Sequence, residues 1–191
     1  MLASIALIFL LVLCVLILCM VLFLWMTYNR LILLRNRMKE AWSDIEVLLK
    51  RRYDLIPNLV ETVKGYAGHE KELLDKLAGL RSGNYSTMSD TQKLQTNSEL
   101  SQILTRFMAV VENYPDLKAN QNFMKLSDEL STIETDIANS RKYYNGTVRE
   151  LNNFLELFPT NIIGFIFKFS KEKMFEITET ERQNVKVSFN D

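Results

Sequence analysis

The residues whose types could do chemistry are few, and they do not assemble into a catalytic pattern. The single histidine, His69, stands beside Glu70 at an expected helix start. A metal site or a general base there would need a second His, a Cys or a spaced carboxylate, and none accompanies it. Both cysteines, Cys14 and Cys19, fall inside an apolar run, so the rest of the chain has no thiol for metal binding, nucleophilic attack or a disulfide. No glycine-rich phosphate loop, HExxH or GxSxG sequence occurs. The carboxylates Glu61, Glu112, Asp116, Glu134 and Asp136 lie on helical segments, where solvated faces and interhelical ion pairs are their ordinary use. The expectation is a protein that is not an enzyme and has no catalytic, metal or cofactor-binding residues.

One polar cluster resists that bland account. Lys50, Arg51, Arg52, Tyr53 and Asp54 interrupt an otherwise apolar helical stripe, Arg52 falls on the seam itself, and Asn58 follows Pro57. A polar residue on a packing seam costs stability unless paired, and its best-attested use is to fix register or oligomeric state. Arg51, Arg52, Asp54 and Asn58 are therefore candidates for a register or interface network. A pocket for an anion or a lipid headgroup is the sharper alternative. The rule that buried charges are paired favours the network.

These residues must be positioned by helices, and the first of them starts in a membrane. Ile5 to Met26 is an unbroken run of apolar side chains, with no Asp, Glu, Lys, Arg or His before Arg30. A helix of that length is roughly 33 Å long, enough to cross a hydrocarbon core of about 30 Å. A cleaved secretory signal would carry a positive amino-terminal region, a shorter apolar stretch and a small-residue cleavage site, so a retained anchor is expected over 1–29. Arg30, Arg35, Arg37 and Lys39 follow the run, whereas no basic side chain precedes it. The positive-inside tendency then places the amino terminus outside and the helical domain in the cytoplasm.

Beyond the anchor, Lys plus Arg balances Asp plus Glu at 23 each, so no basic field points to nucleic acid. Three prolines and six glycines in the whole chain speak for long helices. Leu31, Leu34, Met38, Ala41, Ile45 and Leu48 recur in steps of three and four, and Leu55, Leu59, Val63 and Tyr66 resume the stripe. Pro57 predicts a kink or break near Leu55. A short helix is expected from His69 to Leu80, then a loop from Arg81 to Ser89. Ser89 and Gln92 read as a capping box that opens the next helix, whose buried stripe runs from Leu100 to Tyr114. Pro115 is expected to open a last long helix, with a seam from Phe123 through Leu130, Ile137, Tyr144 and Leu151 to Phe158, and Pro159 to stop it. The fold class is all-α: an amino-terminal transmembrane helix continuing into an up-and-down bundle of about four helices over 30–160, with a short apolar and basic extension over 161–191.

The stretch from Tyr28 to Tyr66, YNRLILLRNRMKEAWSDIEVLLKRRYDLIPNLVETVKGY, resembles the signature of the LemA family. So does ENYPDLKANQNFMKLSDELSTIETDIANSRKYYN from Glu112 to Asn145, and FPTN from Phe158 to Asn161 agrees with a further family element. The resemblance implies a single-pass bacterial inner-membrane protein carrying a left-handed four-helix bundle, and it implies no reaction. Members of that family include a protein needed for magnetosome membranes, and family genes often sit near those of membrane metalloproteases.

The extension carries a second anomaly. Ile162, Ile163, Phe165, Ile166, Phe167 and Phe169 are nearly continuous apolar sequence, with Lys168, Lys171 and Lys173 close by. Monomers seldom expose so much apolar area, so the bundle, another subunit or lipid must cover it, and a subunit contact is favoured. Val185, Val187 and Phe189 alternate with polar residues, a period that suits strand addition to a neighbour. Membrane lipids, further copies of the chain and a membrane protease are the expected partners. Two functions follow: a self-associating scaffold that organises or shapes a membrane, or an adaptor of a membrane enzyme such as a metalloprotease.

Overall fold

The computed structural model describes residues 2–65, 71–79 and 85–175. It contains α1 (Leu2–Val63), α2 (Lys71–Gly79), one 3-10 turn (Tyr85–Thr87), α3 (Asp90–Val111), α4 (Pro115–Lys118), α5 (Gln121–Glu156) and α6 (Thr160–Ile166). Among the described residues there is no strand, and the class is all-α with a long apolar amino-terminal helix, as the sequence leads one to expect. His69, Leu80 and the loop residues 81–84 lie outside the described residues.

Pro57 does not break α1, which continues to Val63. Proline has no amide hydrogen to give the preceding turn, but Tyr53, Ile56, Leu59 and Val60 are all buried and fasten the turns on both sides of it. The stripe also runs differently from its sequence reading. It passes through Leu49 and Ile56 rather than Leu48 and Leu55, because the step after Ile45 is four, and this keeps Arg52 on the seam.

Two helix starts turn on capping. At α3 the Ser89 Oγ accepts from the Gln92 amide at 3.3 Å while the Gln92 Oε1 accepts from the Ser89 amide at 2.9 Å, the expected reciprocal box. The other start departs from expectation. Pro115 opens only the single turn of α4, and the long helix begins at Gln121, because the Asn120 Oδ1 accepts from the amides of Asn122 (2.9 Å) and Phe123 (3.1 Å) and so satisfies a fresh amino-terminal turn.

The chain forms two compact units, residues 1–42 with 141–191 and residues 43–140, and α1 and α5 contribute to both. In the second unit Ile56, Leu59, Val60 and Val63 of α1 share a core with Leu77 of α2, Leu100, Leu104, Phe107 and Val111 of α3, Leu117 of α4, and Phe123 and Leu130 of α5. Each helix supplies one apolar stripe, and burying those stripes together is what removes them from water.

In the first unit the apolar run of α1 is unburied throughout its most hydrophobic window, and the helix is long and apolar enough to cross a membrane. Packing begins only past it: Leu31, Leu34, Met38 and Ala41 are buried, as are Val148 and Leu151 of α5 and Ile163 of α6. A Cβ placed on Gly164 of α6 would meet the Leu155 Cδ2 at 2.6 Å, so the absence of a side chain lets α6 approach α5. The end of α6 closes in a Schellman arrangement. The Phe169 amide donates to the Gly164 carbonyl (2.9 Å) and the Lys168 amide to that of Phe165 (3.2 Å), which puts Lys168 in the left-handed region at φ 56°.

Leu100→Ala is expected to destabilise the second unit by about 2–5 kcal/mol. Val47→Ala, at a side chain 64% exposed, is expected to change stability by no more than about 0.5 kcal/mol. Thermal unfolding of the full chain in detergent, followed by circular dichroism, checks this; equal midpoints for the two variants would contradict the assigned core.

Candidate functional site

Arg52, on the seam of α1, is the centre of a buried polar network in the second unit. Its side chain is 2% exposed. One guanidinium nitrogen, Nη2, reaches the Glu134 Oε1 of α5 at 2.6 Å and donates to the Ser101 Oγ of α3 at 2.9 Å. Ser101 passes the chain on by donating to the Asn97 carbonyl at 3.1 Å. The Asn97 Nδ2 donates to the Tyr85 hydroxyl at 2.9 Å and to the Lys93 carbonyl at 2.8 Å, and the Lys93 Nζ pairs with the Glu46 Oε1 at 2.6 Å. The Tyr85 ring lies 4.9 Å from that of Tyr53. Burial pushes the Tyr85 phenol above its ordinary value, and the Asn97 hydrogen bond partly opposes the rise.

Arg52 also opens onto a cavity of about 530 Å³ lined by Ser101, Thr105, Ser127, Ser131 and Glu134 on its polar side and by Leu104, Met108 and Leu130 on its apolar side. A guanidinium already matched by a carboxylate, four hydroxyls and an apolar wall suit a neutral polar or amphipathic occupant better than a free anion. Among the described residues no group of three or more His, Cys, Asp or Glu gathers as a metal site.

The other members of the sequence cluster lie elsewhere on α1. Arg51 pairs with Glu129 at 2.7 Å and Asp54 with Lys50, all of them exposed, while Asn58 is exposed and its carbonyl accepts from the Thr62 hydroxyl at 2.8 Å. The structure therefore joins Arg52 to Ser101 and Glu134 rather than to its sequence neighbours. Of the carboxylates noted from sequence, Glu134 alone pairs with a buried cation; Glu61 meets Lys64 and Glu112 meets Lys118 at the surface.

The carboxy-terminal extension belongs to the first unit. Ile163 is buried, whereas Ile162, Phe165, Ile166 and Phe167 are exposed, Phe165 at 85% and the preceding Phe158 at 80%. The Phe167 ring lies 4.8 Å from that of Tyr28, and Phe169 lies 6.2 Å from Tyr28 with the Arg35 guanidinium 5.3 Å over its face. Past α6 the chain runs extended to Phe175 along α5, held by Asn145 and Asn152. Those two asparagines went unnoticed in the sequence; the signal was a pair of amides seven apart on a regular helix, which places them on one face. Val185, Val187 and Phe189 lie outside the described residues.

A span-length apolar helix, a remainder whose regular elements are all helices among the described residues, and a site built from one ion pair and hydroxyls define a membrane-associated all-α protein. Comparison with known proteins takes the assignment one step further. The chain belongs to the LemA family, whose model matches residues 41–189. It is 28% identical over 161 residues to Protein LemA of Metamycoplasma hominis, covering 84% of this chain and 74% of that protein. It is 24% identical over 177 residues to the magnetosome proteins MamQ 1 and MamQ 2 of Paramagnetospirillum magneticum, covering 79% of this chain and 65% of each of them.

Arg52 and Glu134 are unequal partners, since Glu134 is 46% exposed and keeps much of its hydration. Glu134→Ala takes the carboxylate away from a buried cation and is expected to cost about 1–3 kcal/mol, whereas Arg52→Met leaves a solvated carboxylate and is expected to cost less than about 1 kcal/mol. Paired denaturation curves check the order; a more damaging Arg52→Met would refute it.

Tyr85 generates a pH prediction. Its unfolded phenol titrates near 10.0 and its folded value is higher, so between the two the folded chain holds the extra proton. The contribution is complete below pH about 10 and is lost as pH rises through the folded value. Tyr85→Phe should flatten this alkaline loss in stability measured from pH about 9 upward.

Proposed function

We propose that this chain is a membrane-anchored, non-catalytic scaffold that self-associates and organises or shapes a bacterial membrane. The observation that carries the reading is the docking of α6 beside Tyr28, where the apolar run of α1 ends. With α1 across the bilayer, Tyr28 falls at the interface, as aromatic residues flanking spans do. Phe158, Ile162, Phe165 and Ile166 are then exposed at the depth of the headgroups, and Lys168, Lys171 and Lys173 follow them. Apolar side chains that enter one leaflet beside lysines that meet anionic headgroups form a wedge. Each chain would thus grip the bilayer twice, once through it and once along one face.

Anchoring in a plane raises effective concentration, so weak contacts between copies suffice to gather many such wedges into a patch. The basic residues after the span favour a bacterial inner-membrane orientation with the amino terminus outside and the helical units in the cytoplasm. The likeness to relatives named as magnetosome proteins supports the same reading. An adaptor of a membrane enzyme such as a metalloprotease would use the helical surface for docking instead.

The test is the state of the full chain in mild detergent, measured by light scattering on a sizing column, followed by reconstitution into anionic liposomes. A homo-assembly that deforms the liposomes is expected. A monomer that co-purifies with one other membrane protein would sink the scaffold in favour of the adaptor. Phe165→Glu should weaken the interfacial grip by about 1.5–3 kcal/mol, seen as reduced liposome deformation with insertion of the span unchanged.

A further inference from the structure

The extended segment over α5 is held chiefly through its backbone. The Asn152 Nδ2 donates to the Glu172 carbonyl at 2.9 Å while its Oδ1 accepts from the Glu172 amide at 3.0 Å. Seven residues earlier, the Asn145 Nδ2 donates to the Phe175 carbonyl at 3.0 Å and its Oδ1 accepts from the Phe175 amide at 2.7 Å. A carboxamide carries one acceptor beside its donors, so each asparagine satisfies a residue of extended chain as a neighbouring strand would. The registers agree as well. Seven residues of helix rise about 10.5 Å, and the three residues from 172 to 175 span about 10 Å when extended.

Side chains are seated at the two ends, and between them Lys171 pairs with Glu156 of α5 at 2.6 Å, both exposed. Phe175 stacks on Trp42 with centroids 5.3 Å apart and planes at 16°, meets Tyr144 edge-on at 5.2 Å, and has the Arg141 guanidinium 5.6 Å over its ring. Phe169 takes the place beside Tyr28 and Arg35 described above. Between them Ser170, Lys171, Glu172, Lys173 and Met174 are exposed. Two amide clamps and two aromatic seats make a built site, and its ligand in this structure is the chain's own strap.

We propose that this face of α5 is a binding site for an extended polypeptide backbone, and that in the assembled protein its occupant is residues 169–175 of a second copy. The proposal rests on the self-association reading and names the contact that accomplishes it. A second copy carries the same ligand by identity, so exchange needs no new surface. The hinge favours it. Lys168, where α6 passes into the strap, sits at φ 56° without being glycine, a conformation unfavourable to an L side chain that opening would release. The strap is also lightly buried, so it can peel from α5 without unpacking a core.

The experiment replaces Phe175 with photoreactive benzoylphenylalanine in the full chain, mixes heavy-isotope and light copies before reconstitution, and maps cross-links by mass spectrometry. Heavy-to-light cross-links joining the strap of one copy to the Trp42 or Tyr144 segment of another are expected. Asn145→Leu with Asn152→Leu should cut those cross-links by about tenfold or more. Lys168→Gly accepts the left-handed hinge without strain and cannot be blamed for misfolding; it should lower the ratio of between-copy to within-copy cross-links by about fivefold or more. If sizing shows an assembly but every cross-link stays within one copy, the exchange is wrong and the scaffold stands. If sizing shows only monomers, both fail.

Discussion

From Ile5 to Met26 α1 is apolar on every side, and from Leu31 onward only one stripe of it is, so a single helix suits hydrocarbon along one length and water along the next. In hydrocarbon every backbone group has to be bonded within the segment, which a helix alone achieves for one strand of chain. Past the interface, the same helix has water to contend with, and its remaining apolar stripe has to be covered by other helices. Thr27 is already buried next to Tyr28, and Leu31 and Leu34 follow within about two turns of it. That closeness leaves no free hinge between the apolar run and the packed part of the helix, and it is why α6 comes to lie beside Tyr28.

The second consequence of one long seam is that it has to accommodate a charge. Arg52 occupies a seam position that a leucine would fill without cost, and it is tolerated because Ser101 and Glu134 approach from two different helices. A charge that must find partners on α3 and α5 penalises any packing that slides one helix past another, whereas an aliphatic seam tolerates such slips. Asn97 and Tyr85 extend the same constraint toward the loop side of α3, and with Lys93 and Glu46 the network ends in a second ion pair. The cavity next to Arg52 is what remains where this polar lattice and the aliphatic core meet.

Much of this is legible in the sequence. Periodicity locates the apolar run, the stripe of α3, that of α5 as far as Leu151, and the position of Arg52, and the Ser89–Gln92 pair announces its cap, because each depends on local spacing alone; Phe158, expected to end the α5 seam, lies past Glu156 and is exposed. What escaped depends on contacts distant in sequence. Pro57 looked like a breaker because the buried neighbours that splint it are invisible locally; the start of α5 moved from Pro115 to Gln121 because Asn120 competes as a cap. Glu134 stood out among five similar carboxylates only when Arg52 was placed opposite it. The partnership of Asn145 and Asn152 with Glu172 and Phe175 could not be read because an amide on a helix face is ordinarily just solvated.

The amide clamps have a consequence for how the protein can vary. A ligand recognised by its peptide groups puts little demand on the side chains between its anchors, so Ser170, Lys173 and Met174 are free to be exchanged for residues of other charge or bulk while the strap stays seated, whereas Lys171 is tied to Glu156 of α5. The charge of this surface can then be retuned by substitutions at these positions alone, leaving the architecture of the helices untouched.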